Sequence, residues 1–369
     1  MIIERLELKH FRNYESLDLD LSHGTNILFG NNAQGKTNIL ESLYVACTTK
    51  SHKKSKDREM IRFGSDEAHI CLHLKKNDVP YKIDMHLRKS KKKSIAINGL
   101  PLHRASELMG IANVVFFSPE DLNIIKNGPA ERRRFIDMEL CQLDRMYLSD
   151  LTNYNKCLSQ KNSLLKDIIS DRRRSASLID TLDIWDEQLL NYGSRVIRRR
   201  EKFINELNEI IHIEHQRLTG NSGDFQIYYE PDSTAEDYAE RLKNFREKEL
   251  RYGTASVGPQ RDDINFLLDG VDIRKFGSQG QQRTVSLALK LSEIELVKRE
   301  IHEAPVLLLD DVLSELDSNR QKYLLDSIGE IQTVITCTGL DEFIRNRFEI
   351  DRVFYVENAK VTEQSKKGS

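Results

Sequence analysis

A glycine-rich segment near residue 30 has the pattern GxxxxGK[ST], a spacing that binds nucleotide phosphates. It consists of Gly30-Asn31-Asn32-Ala33-Gln34-Gly35-Lys36-Thr37. The glycines permit a tight loop whose backbone N–H groups surround phosphate oxygens, and the following helix adds the positive end of its dipole. We expect Lys36 to reach the β- and γ-phosphates and Thr37 to ligate Mg²⁺. The alternative is a chance glycine-rich turn.

A second candidate group ends an apolar segment far downstream. Four aliphatic residues, Val306 to Leu309, lead into two carboxylates, Asp310 and Asp311. Such a run is typical of a central parallel strand, and ligands bind at the carboxyl ends of these strands. We expect Asp310 to hold Mg²⁺ and Asp311 to polarise the water that attacks the γ-phosphate. Apolar strands ending in two aspartates also occur without a ligand, so this assignment depends on the phosphate loop.

A loop rich in glycine and glutamine precedes a long helix predicted to start near Thr284. It consists of Phe276-Gly277-Ser278-Gln279-Gly280-Gln281-Gln282-Arg283. A serine hydroxyl, a glycine amide and a helix N-terminus together bind a γ-phosphate well. The nucleotide-binding candidates therefore include Ser278, Gly280 and Gln281. The loop resembles the signature of ABC-type ATPases, which implies that it completes the site of a second copy and that ATP closes a homodimer. The alternative is an exposed turn.

The spacing of the three elements resembles the RecF/RecN/SMC group of chromosome ATPases. Lys36 and Asp310 are 274 residues apart, much further than in transport-type ABC domains, and long coiled coils are missing. Within that group the motifs resemble the RecF family over essentially the whole chain. They are Pro119-Glu120-Asp121-Leu122, Gly128-Pro129, Arg132-Arg133-Arg134-Phe135-Ile136-Asp137, Gly258-Pro259-Gln260-Arg261-Asp262-Asp263 and the segment from Leu308 to Asp317. Within the last segment, Ser314 to Asp317 resembles the D-loop and also suits a helix start with Ser314 as N-cap.

The resemblance implies an α/β fold, an ABC-type P-loop ATPase head with an inserted helical lobe. It also implies a cytoplasmic recombination mediator that uses ATP and Mg²⁺ and dimerises on ATP. Such a protein binds duplex DNA near single-strand gaps and helps load recombinase with RecO and RecR. Its hydrolysis is weak, stimulated by DNA, and acts as a switch. Two alternatives remain at this point: an ABC transport ATPase subunit, and a non-hydrolysing DNA-binding scaffold.

Several positions depart from the expected patterns. Thr336-Cys337-Thr338 occupies the place of the switch histidine, and Thr338 is included among the nucleotide-binding candidates. No glutamate follows Asp310, and Asp311 is shorter, so both departures predict slow hydrolysis. Ser118 and Glu120 occupy the Q-loop region without an evident γ-phosphate sensor. Asn127 and Gln260 replace a smaller residue and a histidine in the family motifs.

Other candidates come from single residues and basic runs. Arg12 follows the first strand and is predicted either to contact the nucleotide or to lie on the surface, and Asn38 extends the phosphate loop. The run from Arg88 to Lys93 lacks acids, which favours contact with the duplex backbone. A second basic cluster, Lys53 to Arg58, could reach either DNA or the adenine. The DNA-binding candidates are Lys53, Lys54, Lys56, Arg88, Lys89, Lys91, Lys92 and Lys93.

Three further groups carry no assignment. The run from Arg198 to Arg200 is followed by acids and is typical of a solvated, ion-paired helix face. Arg172 to Arg174 forms another local basic run. His212 and His215 lie three apart on a predicted helix, but no third metal ligand is evident.

The elements that must position these residues form three regions. Strand-like segments separated by turns, with one early helix, fill residues 1–117; charged helical patterns follow to about residue 250; strands and helices alternate from about residue 264. We therefore predict an ATP-binding lobe formed by 1–117 with about 300–369, and a mainly helical lobe, about 118–299, that carries the signature loop.

Composition sets limits on partners and location. The 56 Lys and Arg nearly balance the 58 Asp and Glu, so any basic surface must be local. The five cysteines lack metal-ligand spacing and suit a reducing compartment. No secretory segment or run of 18 apolar residues is evident, so we expect no membrane segment.

Overall fold

The computed structural model describes residues 1–170, 175–220, 223–340, 343 and 348–364. The chain divides into two units, Met1–Asp121 with Glu293–Ser369 and Leu122–Ser292. The boundaries between the units therefore lie after Asp121 and after Ser292, whereas the sequence predicted lobe boundaries after residue 117 and near residue 299. Elements are numbered in chain order.

An antiparallel sheet in the first unit has the order β2-β1-β4-β5-β6-β7. Alternation of apolar and polar residues explains it, because Ile3, Leu6 and Leu8 of one strand are buried while Glu7 and Lys9 face outward. Its strands are β1 (Ile2–Phe11), β2 (Tyr14–Asp20), β4 (Glu67–Lys76), β5 (Val79–Arg88), β6 (Ser94–Ile97) and β7 (Leu100–Pro101).

A second sheet of the first unit has the order β15-β14-β3-β13-β12-β8. Its strands are β3 (Thr25–Phe29), β8 (Val114–Phe117), β12 (Val306–Asp310), β13 (Thr333–Cys337), β14 (Arg352–Glu357) and β15 (Lys360–Gln364). All pairings are parallel except that of β14 with β15. The parallel strands therefore end at one edge of the sheet, which is where the predicted nucleotide site requires them.

Among the described residues, the helices that lie wholly in the first unit are α1 (Lys36–Thr48), α2 (Asp57–Met60) and α10 (Ser318–Ile328). Short 3₁₀ segments are Ala105–Leu108, Pro119–Asp121 and Leu313–Glu315. The prediction that Ser314 caps a helix was wrong. The carboxylate of Asp317 accepts hydrogen bonds from the N–H groups of Asn319 and Arg320, so α10 begins three residues later than a Ser314 cap requires.

The second unit is mainly helical, with one three-stranded sheet of order β11-β10-β9. The helices that begin in this unit are α3 (Leu122–Lys126), α4 (Pro129–Leu143), α5 (Arg145–Ser170), α6 (Ser175–Thr219), α7 (Tyr238–Tyr252), α8 (Ile273–Phe276) and α9 (Gln279–Ile301), whose residues from Glu293 onward belong to the first unit. Its strands are β9 (Phe225–Glu230), β10 (Asp263–Leu268) and β11 (Val271–Asp272), and Pro259–Arg261 forms a 3₁₀ turn. None of the described helices is long and apolar enough to cross a membrane.

Candidate nucleotide site

The phosphate-loop pattern lies between β3 and α1, as the strand-loop-helix context predicted. Gly30 and Gly35 have φ values of 145° and 116°, a region of backbone conformation that favours glycine. A Cβ atom at Gly35 would also lie only 2.8 Å from the hydroxyl oxygen of Tyr14. The loop therefore depends on these glycines, and its backbone encloses the N-terminus of α1.

The Lys36 ammonium is held inside the loop. Its Nζ atom donates hydrogen bonds to the carbonyl oxygens of Gly30, at 2.5 Å, and Asn31, at 2.8 Å. Burial lowers the pKa of Lys36, while the carboxylates of Asp311 and Asp310 act in the opposite direction. The positive charge thus lies beside the loop amides that would receive an anion.

Three polar side chains from distant parts of the chain meet at the edge of the parallel sheet. The hydroxyls of Thr37 and Thr336 both donate to Oδ1 of Asp310, each at 2.8 Å. Hydroxyl and carboxylate oxygens are ligands that Mg²⁺ prefers. Thr37 and Asp310 are predicted from the sequence, whereas Thr336 is not, since the sequence pattern indicates Thr338 in this segment. Thr338 is exposed, two residues beyond Thr336, and is not among the residues that line the cleft.

Asp311 begins the turn after β12 with a φ of 53°, a strained value for a residue that is not glycine. Its N–H donates to the hydroxyl and carbonyl oxygens of Thr336 at 3.0 and 3.2 Å. Burial raises the pKa of Asp311, and the neighbouring charge of Asp310 raises it further. A carboxylate with a raised pKa is a stronger proton acceptor, which suits the predicted role in orienting water.

An open cleft of about 430 Å³ joins these groups. The ring of His52 stacks on Phe116 at one side, with ring centroids 4.1 Å apart. The residues that line the cleft are Asn32, Ala33, Gln34, Gly35, Lys36, Thr37, Asn38, His52, Lys53, Ser118, Pro119, Glu120, Asp310, Asp311 and Thr336. Loop amides, the Lys36 ammonium and the adjacent carboxylates of Asp310 and Asp311 fit a nucleotide with a divalent cation.

Arg12 makes protein contacts that the sequence did not suggest. Its guanidinium forms a two-point ion pair with Glu41 of α1, with N···O distances of 2.6 and 2.7 Å. It also donates to Ser55 Oγ and to the carbonyl oxygen of Glu59. Because Glu41 is fully buried, Arg12 neutralises a core carboxylate. Its contact with a nucleotide stays a prediction.

The signature-like loop forms the N-terminus of α9 in the second unit. Ser278 and Gln281 make a reciprocal pair: Gln281 N–H donates to Ser278 Oγ at 3.3 Å, and Ser278 N–H donates to Gln281 Oε1 at 2.8 Å. This is a capping box, and it starts the helix at Gln279 rather than near Thr284. Ser278, Gly280 and Gln281 are exposed, so the helix end is accessible to an anion.

The basic candidates lie on two adjacent loops of the first unit. Lys93 connects them, because its ammonium donates to the carbonyl oxygen of Thr49 and pairs with Asp57 at 2.9 Å. The run lacks acids in sequence, but the fold supplies them: Arg88 lies 3.6 Å from Glu67 and Lys89 lies 3.4 Å from Asp66. The candidate lysines that are exposed on the two loops are Lys53, Lys54, Lys56, Lys89, Lys91 and Lys92.

The run from Arg198 to Arg200 is not uniformly solvated, which corrects its interpretation as a surface face. Arg200 is buried and pairs with Asp137 and Asp262, each at 2.8 Å. Burial acts to lower the pKa of Arg200, but the surrounding acidic groups raise it, so the guanidinium stays charged.

Motif residues of the RecF pattern thus form part of the core of the second unit. Besides the two aspartates that pair with Arg200, Arg132 pairs with Asp263. Gln260 accepts a hydrogen bond from the Tyr154 hydroxyl. The run from Arg172 to Arg174 lies outside the described residues.

His212 and His215 both contact other protein side chains. His212 lies 2.9 Å from the side-chain nitrogen of Gln216 and 3.2 Å from Asp224. His215 is buried, and its ring packs against Phe225.

Comparison with known proteins identifies close relatives. The profile of the RecF/RecN/SMC N-terminal domain family matches residues 2–362. The DNA replication and repair protein RecF of Lachnospira eligens is 58% identical over 365 residues, covering 99% of this chain and 100% of that protein. The same protein of Agathobacter rectalis is 60% identical over 361 residues, covering 98% and 99%. These relatives do not support the alternative of a transport ATPase subunit.

Solved structures agree in fold. The structure of the recombination mediator protein RecF with ATP, in the RecFOR pathway, superimposes with a TM-score of 0.91 at 34% identity. The match covers 99% of this chain and 98% of that one. An SMC head bound to the C-terminal winged-helix domain of ScpA has a TM-score of 0.58 at 17% identity and shares the fold only. The predicted ABC-type ATPase head with a helical insertion is therefore confirmed.

Proposed function

Because this chain belongs to the RecF family, within the RecF/RecN/SMC group, we propose that it is an ATP-binding recombination mediator of the RecFOR pathway. The observation that carries this proposal is the contact of Thr37 with Asp310, 273 residues apart, at 2.8 Å. It joins the phosphate loop to the acidic strand in one cleft. A site decayed to a scaffold would not need to retain this arrangement.

Different residues of the cleft serve ATP binding and ATP hydrolysis. The loop amides and Lys36 bind the β- and γ-phosphates, and Thr37 and Asp310 supply oxygen ligands to Mg²⁺. Asp311 orients and deprotonates the attacking water. Because Asp311 is one methylene shorter than the glutamate typical of ABC proteins, turnover is slow, and the nucleotide state serves as a switch.

The signature-like loop completes the nucleotide site of a second copy. Ser278, Gly280 and Gln281 are exposed at a helix N-terminus, where hydroxyl, amide and dipole all favour an anion. Asn38, Arg12 and Thr338 are further candidates for nucleotide contact. ATP binding therefore favours the homodimer, because the γ-phosphate adds interactions that only the dimer can make.

The adjacent basic loops are the proposed surface for duplex DNA. Exposed lysines on a hairpin loop contact phosphates without reading bases, and stimulation of ATP hydrolysis by DNA follows if the dimer binds DNA better than the monomer. Lys91 and Lys92, at the exposed tip, are the first candidates. We extend to this chain the family role near single-strand gaps on chromosomal DNA in the cytoplasm, with RecO and RecR as partners.

Two variants of the cleft test the nucleotide function. Lys36→Ala should weaken ATP binding by about 10- to 100-fold, because it removes charged hydrogen bonds. Asp311→Asn should retain ATP binding but lower turnover by about 10²- to 10⁴-fold. Equilibrium binding of a fluorescent ATP analogue and phosphate release measure the two effects, with Lys322→Ala, an exposed lysine of α10, as control. ATP binding without turnover in the unmodified protein would favour the non-hydrolysing scaffold.

A salt titration tests the DNA surface. The double variant Lys91→Ala and Lys92→Ala should reduce the slope of log K against log salt by up to about 1 per lysine, with gapped duplex as the probe and ATP present. Lys322→Ala combined with Lys360→Ala removes two exposed lysines elsewhere and should leave the slope unchanged. Equal slopes for the wild type and the Lys91 and Lys92 variant would place the DNA surface elsewhere.

A further inference from the structure

Three metal-ligating side chains lie side by side on the outer face of the antiparallel sheet. Glu7 of β1 is the register partner of Cys71 of β4, and His73 follows two residues later on β4. Residues two apart on a strand point to the same face, so the carboxylate, thiol and imidazole lie together. None of the three takes part in the nucleotide site described above.

The two distances from the His73 imidazole to its neighbours match a tetrahedral metal centre. The Nε2 atom of His73 lies 3.3 Å from Glu7 Oε1 and 3.4 Å from Cys71 Sγ. All three ligand atoms lie within 4.8 Å of one another. Around a tetrahedral zinc ion, standard bond lengths place sulfur and nitrogen about 3.5 Å apart, and nitrogen and oxygen about 3.4 Å apart. The imidazole nitrogen already stands at these separations from both neighbours.

We propose that Glu7, Cys71 and His73 bind a divalent transition metal of the zinc class, with water in a fourth position. A thiolate, an imidazole and a carboxylate are the donors that zinc accepts, whereas Mg²⁺ and Ca²⁺ require oxygen ligands. Cys71 is almost fully covered, while Glu7 and His73 are partly exposed, so the ion enters from the solvent side of the sheet.

The surroundings favour a cation. Asp84 of β5 is the register partner of Cys71 on the side away from Glu7, so carboxylates flank the thiol on both neighbouring strands. Burial raises the pKa of Cys71 to about 12, and the charge of Asp84 contributes. A bound dication would replace the thiol proton and offset this negative charge. Asp84 itself is paired with His69 at 3.2 Å and with Lys82 at 3.6 Å, so Lys82 offsets part of its charge.

Two protein contacts compete with the metal. Arg5 lies 3.5 Å from the Glu7 carboxylate, but it is also paired with Asp18 and can retain that partner. A direct hydrogen bond between His73 and Glu7 would account for the 3.3 Å separation without any ion. These alternatives differ in one respect, because only the metal site requires Cys71 as a thiolate ligand.

Metal titration of the full chain tests the proposal. Protein freed of metal by a chelator is titrated with Zn²⁺ in the presence of excess Mg²⁺, which occupies the oxygen ligands of the nucleotide cleft. Elemental analysis after dialysis should find about one zinc per chain. Cys71→Ser and His73→Ala should each weaken zinc binding by more than about tenfold, since even outer partners of a metal site contribute that much. Cys157→Ser, which alters a buried cysteine of the second unit, should bind zinc like the wild type.

Cobalt gives a readout that a purely structural role would not produce. Co²⁺ bound to a thiolate has a near-ultraviolet charge-transfer absorption, which should appear in the wild type and in Cys157→Ser and be absent in Cys71→Ser. Since Cys71 loses its proton on binding, affinity should also rise with pH. Because His73 is partly exposed, we expect His73→Ala to fold, so this variant still tests the site if substitution of the buried Cys71 prevents folding. Zinc or cobalt binding that is unchanged by both substitutions, or absent in the wild type, would overturn the proposal.

Discussion

The Arg200→Leu substitution would leave the buried carboxylate of Asp262 and the partly exposed carboxylate of Asp137 without their cation. Arg200 is 2% exposed and donates to Asp137, Asp262 and the carbonyl oxygen of Pro259 at 2.8, 2.8 and 2.6 Å. Asp262 is itself fully buried, so its charge cannot turn to solvent. Removing one partner from a buried ion pair costs about 3–5 kcal/mol, because the remaining charge stays desolvated.

Thermal unfolding followed by calorimetry measures this loss. In a unit of this size each kcal/mol lowers the melting temperature by about 2–4 °C, so the transition of the second unit should fall by roughly 6–20 °C. Arg200→Lys should give an intermediate loss, because an ammonium cannot form the same fork of hydrogen bonds. The control is Arg198→Leu, whose side chain is 61% exposed, and its effect should stay within about 0.5 kcal/mol.

The comparison of the two leucine variants decides the interpretation. If Arg200→Leu, like Arg198→Leu, melts close to the wild-type temperature, the buried pairing of Arg200 does not exist and the run from Arg198 to Arg200 is a solvated face. If both are strongly destabilised, the helix surface rather than the ion pair is responsible.

Two further predictions concern the first unit. Thr336→Val should lower Mg²⁺-dependent ATP affinity by about tenfold, because Asp310 loses a hydroxyl donor, while Thr362→Val, which alters an exposed threonine of β15, should have no effect; equal effects in a binding titration would refute the assignment. Glu41→Gln should cost about 1–3 kcal/mol near neutral pH by loss of the pair with Arg12. Burial acts to raise the pKa of Glu41, but hydrogen bonds from Arg12 and Ser51 lower it below its ordinary value. The contribution of the pair is therefore complete above the unfolded-state pKa and is lost as pH falls through the folded-state pKa. Urea unfolding at several pH values should therefore show the difference from wild type shrinking in acid, and a constant difference would contradict it.

Local patterns predicted most of the nucleotide site. The strand that ends at Phe29, the helix that begins at the phosphate loop and the strand that ends at Asp310 are confirmed. Each is determined by neighbouring residues: an apolar run, a glycine spacing, or a helix start. Because parallel strands end at one edge, the proximity of Thr37 and Asp310 followed from the same reasoning.

The residues that the sequence missed depend on pairing between distant segments. Thr336 faces Asp310 because β12 and β13 pair in a register that puts these two residues opposite each other. Nothing within one strand specifies its register against another, so Thr338, two residues further on, was selected instead. The sequence signal for Thr336 is a hydroxyl residue near the carboxyl end of β13, the strand that pairs with β12.

The acidic partners of several basic residues could not be predicted from the sequence, because they are distant in the chain. Lys93 pairs with Asp57, which is 36 residues away in the chain. The same is true of Arg12, whose partner Glu41 lies one turn into α1 and 29 residues away. A sequence pattern shows only the acids that are neighbours of a basic residue in the chain. In the folded protein, acids from other helices and strands lie beside it as well.

The central claim is that ATP closes a dimer through the Ser278 loop, and the mass of the protein in solution tests it most directly. Light scattering coupled to sizing chromatography is run with and without ATP, in an Asp311→Asn background that slows turnover. The parent should shift from monomer to dimer with ATP. Adding Ser278→Arg should keep ATP affinity close to that of the parent, since each chain retains its own phosphate loop, but should abolish the dimer. An ATP-dependent dimer of normal mass in the Ser278→Arg variant would contradict the account.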